Sequence, residues 1–143
     1  MVKTVNIMEL GPIQKKWIET LKKYPERQLK GQLGIMKENG EIKLCCLGQL
    51  GLISKHMKWS KDKEFKYLKC TDPNDANKFS NGFFRFTFNE VGLLDSAGIF
   101  KKAVYINENK YISLSNMNDG GVSWLEIAKY VESNPDNVFT KSY

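Results

Sequence analysis

Leu44-Cys45-Cys46-Leu47-Gly48-Gln49-Leu50-Gly51-Leu52 is an apolar run with a vicinal thiol pair at its start. It follows a hairpin-like segment and opens what reads as a buried helix, and this junction of strand and helix sets the fold class. Adjacent cysteines do not readily bridge each other, and the surrounding leucines point inward. The pair reads first as core packing in a reducing compartment and second as chemistry.

Upstream, Leu33-Gly34-Ile35-Met36 and Ile42-Lys43-Leu44-Cys45 flank the turn Glu38-Asn39-Gly40-Glu41, and Asn-Gly is a strong hairpin signal. Before it, Gly11-Pro12 opens a helix whose stripe is Ile13, Trp17 and Leu21, and Pro25 ends it. Downstream, the helix begun at Cys46 is expected to run to Met57, with Gly48 and Gly51 weakening it. Glu64 to Lys69 reads as a strand and Thr71 to Asn77 as a loop.

Phe83 to Phe88 alternates as a strand, and a short helix is expected from Glu90 to Leu94. Val104-Tyr105-Ile106 and Tyr111-Ile112-Ser113-Leu114 form a second hairpin around Asn107-Glu108-Asn109-Lys110. Ser123-Trp124-Leu125-Glu126 has the form of a capping box, with Ile127, Tyr130 and Val131 behind it and Asn134-Pro135 as the stop. With no internal repeat or linker, residues 1–143 read as one compact α+β domain, mostly antiparallel hairpins packed with three or four helices.

The chain has 143 residues, 41% hydrophobic and 27% charged, which suits a folded domain able to bury a core. Three cysteines, Cys45, Cys46 and Cys70, do not make a disulfide framework. The N-terminus lacks a signal-peptide pattern and no apolar stretch suffices to cross a membrane, so a soluble cytoplasmic protein is expected. The formal charge of +6 is almost all lysine, Arg27 and Arg85 being the only arginines. A lysine- and asparagine-rich composition accounts for this charge more simply than a dedicated basic surface does.

The order of motifs is that of a known group. Trp17, then Gln28-Leu29-Lys30-Gly31-Gln32-Leu33, then Cys45-Cys46-Leu47-Gly48, then Met117-Asn118-Asp119 and Ser123-Trp124-Leu125-Glu126-Ile127-Ala128-Lys129-Tyr130-Val131-Glu132 succeed one another. In this the chain resembles a family of small proteins encoded by bacteriophages and prophages, marked by a Cys-Cys-Leu-Gly motif and a C-terminal Asn-Asp element before an Ile-Ala-x-x-Ile-Glu-like helix. It departs from the family pattern at Gln49-Leu50-Gly51-Leu52, where relatives carry a further cysteine and aspartate, and at Trp124, where phenylalanine is usual. The resemblance implies a phage accessory protein working in the cytoplasm of the bacterial host, and it brings no reaction with it.

Residue chemistry points away from catalysis. His56 is the only histidine and reads as structural; Asp72, Asp75, Asp95 and Asp119 are scattered through turn contexts; no phosphate-cradling glycine loop is present. No catalytic residue, metal ligand or cofactor is assigned. Two polar segments, Gln28 to Gln32 and Ser115 to Gly121, read instead as binding loops. The expected ligand is a small anionic nucleotide-type molecule, captured as a counter-defence measure. Arg27, Gln28 and Lys30 are the candidates for phosphate or ribose, Trp59 or Tyr67 for stacking on a base, and Asn116, Asn118 and Asp119 for polar edges. The alternatives are a module binding nucleic acid or a host protein and, ranked last, an enzyme that degrades a nucleotide signal. No membrane partner is expected, and a homo-oligomer is left open.

Overall fold

The computed structural model describes residues 8–62, 65–72, 75–79, 90–95 and 97–143, with backbone alone at 61, 62, 65, 69–72 and 75–79. Helix α1 (Pro12–Lys23) starts with proline at its first position and carries Trp17, Ile18 and Leu21 on its buried face. Its first turn is closed by Gln14, whose Oε1 accepts from Gly11 N at 2.9 Å and from Tyr143 N at 3.1 Å. The same side chain donates through Nε2 to Val91 O and Lys141 O, at 3.1 and 2.9 Å. One buried amide therefore ties the start of α1 to two distant segments.

After a short 3-10 turn (Pro25–Arg27) come β1 (Gly34–Met36) and β2 (Ile42–Leu44). Gly40, at φ +87°, takes the left-handed position of their connecting loop, and its N–H donates to Lys37 O at 2.9 Å. Helix α2 (Cys46–Ile53) follows at once, then β3 (Met57–Asp62), β4 (Phe65–Asp72) and β5 (Asp75–Phe79). These strands form an antiparallel sheet in the order β2-β1-β4-β3, with β5 paired to β4. A separate ribbon pairs β6 (Ile99–Ile106) with β7 (Asn109–Ser113). Its turn residues Asn107 and Glu108 both have positive φ, 50° and 70°, which is the twist that short hairpins favour. Helices α3 (Leu114–Asp119), α4 (Trp124–Ser133) and α5 (Pro135–Val138) complete the described chain.

The α+β class and both hairpins agree with the sequence reading, while five α-helices among the described residues exceed the three or four expected. The unexpected ones are α5, beyond the expected stop at Asn134-Pro135, and α3, which occupies the stretch read as a polar loop. Ser113 Oγ caps it by accepting from Asn116 N at 3.0 Å, and its buried Leu114, Met117 and Asn118 fall at helical spacing. Helix α2 ends at Ile53, four residues short of expectation, because Lys55 adopts φ 66° and Met57 already pairs with Cys70 in the sheet. The expected loop from Thr71 to Asn77 is largely strand, since β4 runs to Asp72 and β5 begins at Asp75. The helix expected from Glu90 to Leu94 does not continue past Glu90, which is helical: Gly92 takes φ +91° and Leu93 forms an antiparallel bridge with Phe139. The expected strand from Phe83 to Phe88 lies outside the described residues.

The core lies between the helices and one face of the sheet. Trp17, Leu44, Leu50, Leu114, Met117, Trp124, Ile127 and Phe139 are all fully buried, each side chain contributing about 1.5–3 kcal/mol. Trp17 meets Phe139 edge to face, with ring centroids 6.0 Å apart. Gly48 packs directly on the backbone of Leu33, and Gly51 on the side chain of Met57, so α2 sits closer to its neighbours than side chains at those positions would permit. Among the described residues, no helix is long and apolar enough to cross a membrane.

Substituting Gly48→Ala drives a methyl group into Leu33 O. The expected loss is about 1–3 kcal/mol of unfolding free energy, read as a lower urea midpoint, whereas Gly31→Ala, at an open left-handed position, should cost only about 1 kcal/mol.

Candidate functional site

The fold brings the two polar segments together. Gln28 Nε2 donates to Val122 O at 2.7 Å and lies 3.3 Å from Asn118 Oδ1, while Gln28 Oε1 accepts from Trp124 N at 3.2 Å. Asn118 Oδ1 also accepts from Cys46 N and from the Trp124 indole, both at 3.1 Å, and Asn118 Nδ2 donates to Leu29 O at 2.7 Å. Asp119 Oδ1 accepts from Gly31 N at 2.9 Å. Asn116 points elsewhere, its Oδ1 accepting from Ile112 N at 3.0 Å on β7.

These contacts give the amide candidates a different role from the one their sequence context suggests. Asn118 is wholly buried, out of reach of a ligand in solution. Gln28 is half-buried, with both ends of its amide bonded inside the protein. Asp119 and Asn116 are exposed but hold backbone amides of neighbouring elements. The two segments recognise each other.

The cations differ. Arg27 lies with its guanidinium carbon 3.8 Å from the ring centre of Tyr24. A guanidinium held against an aromatic ring gains a cation–π attraction and keeps its N–H groups as donors. It borders a cleft of about 290 Å³ between the 3-10 turn and the β1–β2 hairpin, lined by Glu26, Gly40, Glu41, Ile42 and Lys43. Lys43 donates to Glu26 O at 2.6 Å and, with Lys37, stands 3.5 Å from the Glu41 carboxylate. Lys37 chiefly, with Lys43 adding to it, holds the Glu41 carboxyl below its ordinary range. Among the described residues, Arg27 has no carboxylate within ion-pair distance. Lys30 is exposed, its ammonium over Gly121.

The two aromatic candidates, alternatives for base stacking, lie on opposite sides of the sheet. Trp59 stands opposite Leu68 and Tyr67 opposite Ser60, neighbouring pairs of one antiparallel ladder. Successive side chains of a strand alternate, so the two rings lie on opposite faces of the sheet. Trp59 packs against the core, and Tyr67 is 36% exposed.

Cys45 is the N-cap of α2, its sulfur accepting from Gly48 N at 3.3 Å. Burial pushes its thiol up to about 11, against the weaker opposing pull of the helix amides. Cys46 is fully buried with Sγ 3.7 Å from Leu114 O, and burial raises it well above the ordinary thiol value. Neither sulfur is a thiolate at neutral pH, so the pair has neither the charge nor the access of a nucleophile.

One constellation escaped the sequence reading. His56 Nδ1 lies 2.9 Å from Ser54 Oγ, and its Nε2 lies 2.6 Å from Glu90 Oε2. Glu90 is 34 residues away, so only the fold reveals the contact. The hydroxyl also donates to Gly51 O at 3.2 Å, which closes the end of α2 rather than presenting a nucleophile. Among the described residues, no three His, Cys, Asp or Glu side chains are placed to share a metal ion. No family model, curated protein or solved structure matches the chain.

Asn118→Leu should leave the Cys46 amide, the Trp124 indole N–H and Leu29 O unpaired, for a loss of roughly 3 kcal/mol or more in urea unfolding. The thiols predict a pH effect of defined sign. A group held protonated in the folded state stabilises the protein below its unfolded value and ceases to do so as pH rises through the folded one. For Cys45 the interval runs from 9.0 to about 11. The urea midpoint of the native protein should therefore fall more steeply over that interval than that of Cys45→Ala.

Proposed function

We propose that this chain is a non-catalytic binding protein of the phage accessory type, which sequesters a small anionic nucleotide-derived ligand in the host cytoplasm as a counter-defence measure. The observation that carries this reading is Arg27, held against the Tyr24 ring and without an ion-pair partner among the described residues, in a cleft that it lines with Lys43, Glu26 and Glu41. A guanidinium fixed by an aromatic face is pre-organised to grip a phosphate with two parallel hydrogen bonds. Lys43, which lines the same cleft, is the second cation on hand for a ligand with more than one phosphate, and Lys30 is exposed beside Gly121. The order of family motifs supplies the phage context, and the buried thiols take the most reactive side chains out of consideration. Gln28, Asn118 and Asp119 serve this reading indirectly, by fixing the backbone from which Arg27 and Lys30 project.

The test is to incubate the purified protein with a panel of cyclic dinucleotides, cyclic oligonucleotides and ADP-ribose derivatives, filter, heat-denature, and chromatograph what is released. Intact ligand that had left solution and returns on heating is the expected result. A converted product would make the protein an enzyme, and ligands that stay free throughout would end the small-molecule reading. Arg27→Ala should weaken capture about ten- to a hundredfold, the range for losing a charged hydrogen-bond pair, and Arg27→Lys should restore only part of it.

A further inference from the structure

The β6–β7 ribbon has one buried face and one bare one. Val104 and Tyr111 stand opposite each other and face the core. The next pair, Tyr105 and Lys110, faces solvent, with Tyr105 67% exposed. Ile112, two residues along β7, is 52% exposed on the same side. Lys101, four residues before Tyr105 on β6, is exposed as well, whereas Lys102 alternates to the side of Phe100 and Val104; the nearby carboxylates are Glu108 in the turn and Asp136, which lines a cleft with both lysines.

Strand edges are the usual way a bare ribbon recruits a partner, but here both edges carry asparagine plugs. Asn137 Oδ1 accepts from Lys102 N at 2.7 Å, and its Nδ2 donates back to Lys102 O at 3.0 Å. On the other strand, Asn116 engages the N–H of Ile112 at 3.0 Å. A partner at these positions must therefore meet the face and not the edge.

The face itself selects among partners by its charge. A lysine sits directly across from the exposed ring, at the centre of the patch, where protein–protein interfaces are depleted in lysine. An aromatic ring flanked by ammonium groups on a flat two-stranded surface instead matches a polyanion that carries flat apolar groups. We infer that the outer face of the β6–β7 ribbon binds single-stranded nucleic acid, Tyr105 stacking on a base while Lys110 and Lys101 pair with the phosphates around it. This surface is separate from the Arg27 cleft and does not depend on it.

The experiment is a fluorescence-anisotropy titration of a labelled single-stranded oligothymidine with the full chain at several salt concentrations. Binding should weaken steeply with salt, as counterion release requires. Tyr105→Ala should reduce affinity about tenfold, as expected for one lost base stack, and Tyr105→Phe should retain it. Lys110→Gln should make the salt dependence shallower by about 0.7 in log–log slope. Lys15→Gln on α1, a matched loss of charge far from the ribbon, should change affinity less than twofold. Tyr105 is exposed, so its variants should keep the parent's circular dichroism and urea midpoint. Absence of binding at low salt, or equal binding by Tyr105→Ala, would overturn the inference. So would a concentration-dependent dimer that Tyr105→Ala dissolves, since it would assign the face to a second copy of the chain. The ligand-release assay for the Arg27 cleft reads a different surface, so either proposal can fail while the other stands.

Discussion

A single buried amide organises this protein. Asn118 Oδ1 receives the first amide of α2, through Cys46 N, and the Trp124 indole at the start of α4, while its Nδ2 reaches Leu29 O ahead of β1. Asparagine suits the position because it carries an acceptor with two lone pairs and a donor on one short rigid stem. Aspartate would lack the donor that Leu29 O needs, and an apolar residue would lack everything. In a low-dielectric interior such a network is stable only when every member is matched. Gln28 provides much of the remaining matching by bridging Val122 O and Trp124 N. The starts of two helices and the approach to the sheet are thereby fixed relative to one point.

The vicinal thiols belong to this same junction. Cys45 caps the helix whose first amide Asn118 receives, and Cys46 lies beneath Leu114 from the helix that carries Asn118. Gly48 and Gly51 continue the logic, each standing where a side chain would push α2 off Leu33 or Met57. A small polarisable sulfur that both caps and packs is well suited to so close an approach. The Cys-Cys-Leu-Gly run of this chain is thus a packing element, constrained sterically on several sides.

Much of the fold was legible because its signals are local. Pro12 and Pro25 bracket α1, Gly40 marks the first hairpin, Asn107-Glu108 marks the second, and Ser123 opens α4 with its Oγ on Glu126 N. What stayed hidden depends on partners distant in sequence. Residues 114–119 look like a polar turn until Leu114, Met117 and Asn118 are seen to face the core. The end of α2 is decided by a left-handed lysine and by the sheet's claim on Met57, not by the apolar pattern that runs through both. At the candidate site, Lys30 is exposed and Arg27 is half-buried against Tyr24, whereas Gln28, Asn118 and Asp119 satisfy each other's segments. Composition identified those residues as strong hydrogen-bonding groups, and only the topology could reveal whose.

The spacing of the Asn118 junction also sets an order of events for the nascent chain. Its partners are separated by up to 90 residues along the sequence, from Gln28 to Asn118, and contacts of such long range demand loop closure before they yield any stability. While the ribosome is still making β6 and β7, the α2 start and the Gln28 amide have no partner to close upon. The Cys46 amide and Leu29 O can take their Asn118 partner only once α3 has been made. Closure of this junction is therefore a late event in synthesis, and the interval before it is when these segments are most open to chaperones and proteases.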